Sequence, residues 1–490
     1  MLSAAKRSAS AGPFKPKRAA ITWALLVAFL AVPPLLLRDS WTLAYLAQTA
    51  TMIVFALSFN LLLGETGLLS FGHAAFSGLA AFAAAHAFNR CGIALPFVPL
   101  VGGVAGAVCG VLLGFVATRR AGTAFAMITL GIGELASAAA WTLPEGFGGA
   151  AGVPIDRAAG PHWGAWTFGP PREAYVVIAT WCVLASIAMF ALTRTPLARL
   201  ANAVRDNPLR VASLGTDPRR IRYAMVVVSS FFAGVAGALT LINVELASAE
   251  GVGLARSGAV LFATVIGGTA TFFGPVLGAL ALTFFSIALA SLTRAWPLYL
   301  GLLFVVIVVG APDGIAGWAA RRASRDAQYG WRAVWREYAF GAMAAFAWTA
   351  ALIWAVEPGY ARQFAADAGG VWRVGALAID VASPSTWGIV VALALAGWAA
   401  ARAAGRSAAR LDRLHQRERV GAGIGAATGS GAEGGNAANG NAANGNAADG
   451  NAANGNAADG NAADGNAADG NAAGGSAAGG NAADGKETTR

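Results

Sequence analysis

The sequence predicts an all-α fold: a polytopic transmembrane helical bundle of about ten core spans, two extra C-terminal spans and a disordered C-terminal tail. Three observations carry this. Of 490 residues, 56% are hydrophobic and only 12% are charged, about half the charge of a typical soluble chain. That leaves too little polar surface to cover a water-soluble globule, so lipid is the solvent for much of the chain. Long apolar runs recur, and roughly 20 such residues are needed to cross the hydrocarbon core as a helix. The 63 glycines suit close helix packing, where small residues let backbones approach. A porin-like barrel shows alternating segments of about 10 residues instead.

Taken in order, residues 1–20 form a basic lead with Lys6, Arg7, Lys15, Lys17 and Arg18. Residues 21–325 form the membrane body, with nearly charge-free runs at Ile21–Leu37, Leu43–Leu63, Leu95–Ala117, Ala174–Leu192, Tyr223–Ile242, Val276–Leu292 and Pro297–Gly310. The first run follows a basic segment, as a signal peptide does. Pro33-Pro34 and the Leu-Leu-Leu-Arg after them offer no small-residue cleavage pattern, so an uncleaved first span is expected. Residues 326–420 form an appendage with apolar runs at Tyr338–Val356 and Trp387–Ala404. From Asn436 the chain repeats Asn-Ala-Ala-(Asn/Asp/Gly)-Gly, so residues 421–490 are expected to be a disordered tail: without large apolar residues nothing offsets the entropy of ordering.

The net charge of +10 follows membrane topology rather than nucleic acid. Arg119 and Arg120 follow the fourth expected span, Arg194 to Arg222 crowd one loop, and Arg321, Arg322 and Arg325 follow the tenth. These groups share one side, which the positive-inside rule makes cytoplasmic, together with both termini. The segment Pro144–Arg172 on the other side is poor in Lys and Arg. Cys91, Cys109 and Cys182 show no metal-ligand spacing and read as packing residues. Neither metal nor cofactor is expected. Gly429–Gly434 and Gly480–Lys486 mimic nucleotide fingerprints by chance: the first lacks a preceding strand, and the second has Glu487 where magnesium needs Ser or Thr.

Three segments carry functional weight. Ser58–Gly78 interrupts two apolar runs with Gly64, Glu65, Thr66, Gly67, Ser70, Gly72 and His73. Irregular backbone at membrane depth is tolerated where protein or a water-filled cavity satisfies it, and broken helices are where transporters meet their substrates. An ordinary cytoplasmic turn is the alternative. Glu134 stands in an apolar helix, at an insertion cost of about 2.5–3.5 kcal/mol, so it should face the bundle interior or an aqueous path. His73 and His86 read more simply as satisfied structural histidines. In the loop Thr193–Arg222, Asn207-Pro208 favours starting a helix and Gly215 favours ending one. A short surface helix follows, either a knob for a partner or a basic loop at anionic lipid.

Gly67-Leu-Leu-Ser-Phe-Gly-His-Ala-Ala-Phe, Thr129–Glu134, the arginine-led Leu200–Gly215, Phe231–Leu239, Ile266-Gly-Gly-Thr, Phe273–Gly278 and Ala311-Pro-Asp-Gly-Ile315 resemble, in order, the permeases of branched-chain amino acid ABC importers. The resemblance covers roughly residues 40–320 and is to the longer of two paralogous permeases. It implies a complex with that paralogous permease subunit, two cytoplasmic ATPase subunits and a periplasmic substrate-binding protein, set in the lipid of a bacterial inner membrane. It also implies that Arg205, Asp206, Asn207 and Gly215 lie where an ATPase docks, although Ala212 stands where relatives often have an acidic residue. Gly64, Gly67, Ser70, Gly72, His73 and Glu134 are the expected translocation-path residues. The chain has no nucleotide site of its own, so it is expected to be a transport subunit, not an enzyme. A permease for urea or short amides, or an ion-coupled secondary transporter, are the other readings.

Overall fold

The computed structural model describes residues 16–36, 39–161, 164, 166–364, 371–374, 377–380 and 384–429. Residues 1–418 make one compact unit and 419–490 a second, of which 419–429 are described. The basic lead as far as Lys15, the repeats from Asn436 and the chance motif ending at Lys486 lie outside the described residues.

The first apolar run is not one continuous helix. α1 (Pro16–Ala31) stops short of Pro33, and a single turn, α2 (Pro33–Leu36), follows. Proline lacks the N–H that the helix needs and crowds the turn before it, so Pro33-Pro34 divides the span expected over Ile21–Leu37.

α3 (Ser40–Thr66) begins at Asp39, whose carboxylate accepts from the Thr42 amide at 2.9 Å. It is apolar all round and buried along most of its length, as a central helix should be. It ends at Gly67, φ +69°, where the amides of Gly67 and Leu68 return to the carbonyls of Leu63 and Leu62. α4 (His73–Cys91), α5 (Val98–Ala117) and α6 (Thr123–Thr142) follow. A long connection then carries α7 (Pro144–Phe147) and β1 (Val153–Pro154).

α8 (Pro171–Thr193) leads into two short helices, α9 (Pro196–Asp206) and α10 (Pro208–Ser213), and then the long α11 (Pro218–Val244). β2 (Leu246–Ala247) pairs antiparallel with β1, Val153 opposite Ala247. α12 (Leu254–Gly267) and α13 (Gly274–Thr283) come next, α13 continuing into a π-helical turn at Phe284–Leu289. α14 (Trp296–Gly310) and α15 (Gly314–Tyr329) meet at a 46° bend. The appendage is α16 (Trp331–Phe364), a hairpin of β3 (Val371–Val374) and β4 (Leu377–Asp380), and α17 (Pro384–Gly429).

Among the described residues seven helices are long and apolar enough to cross a membrane, or eight if the bent pair is one span. Two of them, Arg332–Pro358 and Trp387–Arg413, belong to the appendage, where the sequence places its two extra spans. Ala20–Ala31, Leu254–Gly267 and Gly274–Leu289 are shorter apolar helices. The chain is a multi-pass membrane protein.

Small residues decide the packing. Gly102, Gly106, Gly110 and Gly114 recur every fourth position of α5 and face α11: a Cβ at Gly106 would lie 2.3 Å from the Ser230 carbonyl oxygen, and one at Gly102 2.7 Å from that of Gly234. Lipid tails offer no hydrophobic drive to bring helices together, so such backbone contact supplies the attraction. The appendage adds charge pairs to such packing, in which Gly397 lies against Trp348. Glu337 is buried and pairs with Arg322 and Arg325, while Arg325 also reaches Asp412 at 3.2 Å.

Two ends of the body are distinct. At one, Arg119 and Arg219 lie over Phe115, with Cζ 5.0 and 5.4 Å from the ring centre, and Arg205 reaches the end of α3. At the other, the connection after α6 is fastened down: Asn89 donates to the Pro154 carbonyl at 2.9 Å, and Arg157 Nε donates to Glu245 at 2.8 Å.

Candidate functional site

The break between α3 and α4 is shorter than the sequence suggests. Gly64 lies inside α3, so irregular backbone is confined to Gly67–Gly72. Gly64 is nonetheless specific: a Cβ there would sit 2.5 Å from the Asn60 side-chain oxygen. Ser70, Gly72 and His73 are buried within the chain, whereas Gly67 is exposed. His73 Nε2 lies 3.0 Å from Ser58 Oγ, and its ring is stacked on Phe55 and edge-on to Phe59. A histidine enclosed this way positions the start of α4 and meets no open path in this chain.

Two of the segments singled out in the sequence meet. The Phe71 amide donates to Thr129 Oγ1 at 3.2 Å, and a Cβ on Gly72 would lie 2.0 Å from the Thr129 carbonyl oxygen. Reciprocally, a Cβ on Gly133 would lie 3.0 Å from Gly72 Cα. The break therefore rests against α6 at Thr129–Gly133. The next residue, Glu134, turns outward: it is exposed and, among the described residues, has neither hydrogen-bond nor ion-pair partner. Exposed Met127, Gly131 and Leu135 share its face at helical spacing. A carboxylate at the middle of an apolar helix needs water or protein across from it. Among the described residues no protein group stands across from it.

The second assembly lies where α9 and α10 cross the end of α3. Asn207 caps α10, its side chain accepting from the Arg210 amide at 3.0 Å, and Gly215, φ +82°, closes the segment. α9 is amphipathic and buries Ala198, Ala201 and Val204. Its polar residues reach the break: Arg205 Nη1 donates to the Gly64 carbonyl, Asn202 donates to Glu65, and the Arg205 stem lies over Gly67. Arg205 is thus a link between α9 and α3. Asp206 and Asn207 are exposed. Leu209 and Leu214 are 81% and 79% exposed, among the most exposed large apolar side chains of the chain.

Sequence reasoning missed three things here. Leu209 and Leu214 are plain apolar residues that gain meaning only from their exposure in a charged loop. The Asn202–Glu65 contact joins residues 137 positions apart. Arg256 lies in the first turn of α12 beside the Thr240 hydroxyl, which it meets at 2.8 Å; the visible signal was one cation ahead of an apolar run.

A family model described as branched-chain amino acid transport system / permease component matches residues 41–311. The high-affinity branched-chain amino acid transport system permease protein LivM of Escherichia coli (strain K12) is 29% identical over 313 residues, 60% of this chain and 73% of the relative. LivM of Salmonella typhimurium (strain LT2) is 28% identical over the same extent. No solved structure matches.

Proposed function

The chain belongs to the permease family of branched-chain amino acid transport systems, and from that premise we propose that it is one membrane subunit of an ATP-driven importer of branched-chain amino acids. In this reading it sits in a bacterial inner membrane beside a paralogous permease. Two cytoplasmic ATPases drive it and a periplasmic binding protein delivers the solute. The arginine-rich end faces the cytoplasm, in keeping with the positive-inside rule, and both termini lie on that side.

The observation that carries the reading is the α9–α10 knob. Apolar side chains facing lipid need no partner, but Leu209 and Leu214 project from a loop crowded with arginines. Burying a leucine is worth about 1.5–3 kcal/mol, so two exposed on a capped helix suit a groove in a soluble partner. Asp206 and Asn207 border them, and Gly215 fixes the exit. Arg205, held on the carbonyl of Gly64, carries movement of the knob to the break at Gly67–Gly72. The break leans on α6, whose Glu134 face is proposed to line the translocation path between the two permeases, with Gly64, Gly67, Ser70, Gly72 and His73 forming the supporting layer behind it.

Labelled-solute uptake by a strain deleted for this chain tests the reading. Complementation is expected to restore uptake of leucine and not of urea; restored urea uptake without leucine uptake overturns the substrate class. In the same assay, truncation after Val420 is expected to leave leucine uptake at the wild-type rate. The last residues of α17, 421–429, which the structure shows as helix rather than as part of a disordered tail, hold one large apolar residue, Ile424, and the repeats from Asn436 offer no apolar surface to bury.

A further inference from the structure

At the end of the body that carries the β1–β2 ribbon, a cavity of about 270 Å³ opens between α3, α4, α11 and the start of α12. Gln48, Ser77, Thr240, Glu250 and Arg256 supply its polar lining, and Leu241 and Val244 part of its apolar wall. Thr240 lies far from the α9–α10 knob, about 33 Å along α11 from Pro218 at roughly 1.5 Å per residue.

The charges in this cavity are unusual. Arg256 is half-buried, donates to Thr240 Oγ1 at 2.8 Å and lies with Cζ 5.4 Å from the centre of the Phe55 ring, itself fully buried. Among the described residues no carboxylate comes within ion-pair distance of it. Glu250 stands at the open side of the same space: it is exposed, and among the described residues its carboxylate has no hydrogen-bond or ion-pair partner. Ser77 Oγ is buried and has no hydrogen-bond partner among the described residues. Gln48 Oε1 accepts from Asn243 at 3.3 Å. One cation and one anion thus share a small cavity without touching, beside an unsatisfied hydroxyl and an apolar wall.

A guanidinium taken partly out of water without a counterion is costly, so the cavity favours a solute that brings an anion. A simple anion meets Glu250, a simple cation meets Arg256, and an uncharged amide satisfies neither. A solute that carries a carboxylate and an ammonium on one carbon satisfies both. We infer that this cavity receives a free α-amino acid, its carboxylate on Arg256, its ammonium on Glu250 and its side chain against Leu241 and Val244. Guanidinium and carboxylate match as a two-bond fork, and the Ser77 hydroxyl is placed to complete the polar shell. The volume lies just under the roughly 300–1,000 Å³ of sites for drug-sized ligands, which suits a solute of amino-acid size. The inference rests on the permease reading and deepens it: this is an acceptor site at the mouth opposite the knob, and its charges exclude urea and short amides.

The full chain, purified in detergent without any binding protein, provides the test through its thermal midpoint. L-leucine at millimolar concentration is expected to raise the midpoint by a few degrees. 4-Methylpentanoate, which lacks the ammonium, and isopentylamine, which lacks the carboxylate, are expected not to. Arg256→Gln and Glu250→Gln are each expected to remove the leucine response and to lower leucine uptake in cells about tenfold or more, since a charged pair in such a site is worth at least that factor. Arg256→Lys should retain a weakened response. Equal shifts from leucine and 4-methylpentanoate overturn the inference in favour of a bare anion site, and this comparison uses the wild-type chain alone. If the wild-type chain imports leucine and both glutamine variants import it equally well, this inference falls while the permease reading stands. A wild-type chain that imports no amino acid overturns that reading and this inference with it.

Discussion

Replacing Leu209 and Leu214 together by aspartate is expected to cut leucine uptake about tenfold or more while the chain still inserts at its normal level. The two side chains are 81% and 79% exposed, so their removal costs the isolated chain almost no burial. In a docked complex each loses apolar burial worth about 1.5–3 kcal/mol and places an unpaired carboxylate in the groove, which adds a desolvation cost. Asp206→Lys sharpens the case. Asp206 ends α9, where a negative charge opposes the helix dipole and a positive one favours it by about 0.3–1 kcal/mol. The lysine variant should therefore hold α9 slightly better, and loss of uptake in it cannot be blamed on unfolding. Comparing uptake with the amount of chain in the membrane fraction decides the matter. Normal transport by both variants would remove the docking role.

How much of this was legible beforehand depends on how local each signal is. The run Leu95–Ala117 has the same bounds in the sequence and in the structure, because hydropathy alone sets a span. Asn207 and Gly215 mark the ends of α10 because capping is settled within a few residues. Gly64 was harder. Glycine, glutamate and threonine in succession read as a break, yet α3 continues through them, since its surroundings bury Gly64 and Thr66 and the Asn60 side chain occupies the space beside Gly64. Only Gly67, with its positive φ, ends the helix. Pro33-Pro34 bears on cleavage in the sequence, while its backbone consequence decides the structure. Glu134 was expected to face the bundle interior or an aqueous path, and it faces away from the interior of its own chain. The Arg205–Gly64 link and the Arg256 cavity were beyond reach for a common reason. Each joins residues from distant elements, 141 positions apart in the first case, and nothing in a linear pattern fixes which helices become neighbours.

Gly72→Val is expected to be the most damaging single substitution in the break. Gly72 has φ −106°, a value open to any residue, so backbone strain is not the reason. Space is. A Cβ at this position would lie 2.0 Å from the carbonyl oxygen of Thr129, 2.9 Å from its carbon and 3.2 Å from the Gly133 amide nitrogen. All three are backbone atoms of α6, so no rotamer change can relieve the clash and the helix itself must move. Overpacking a well-filled site ordinarily costs about 1–3 kcal/mol through side-chain adjustment, and displacing a helix backbone belongs at or above the top of that range. The displacement also breaks the Phe71 bond to Thr129 and shifts Glu134, so uptake is expected to disappear together with thermal stability. Gly131→Ala is the control. It lies on the same helix, a Cβ there meets nothing within 4 Å, and alanine is favoured over glycine in a helix by about 1 kcal/mol. Melting of the purified chain should fall sharply for Gly72→Val and hold or rise for Gly131→Ala. Equal midpoints for the two variants would mean that the break does not rest on α6 at all.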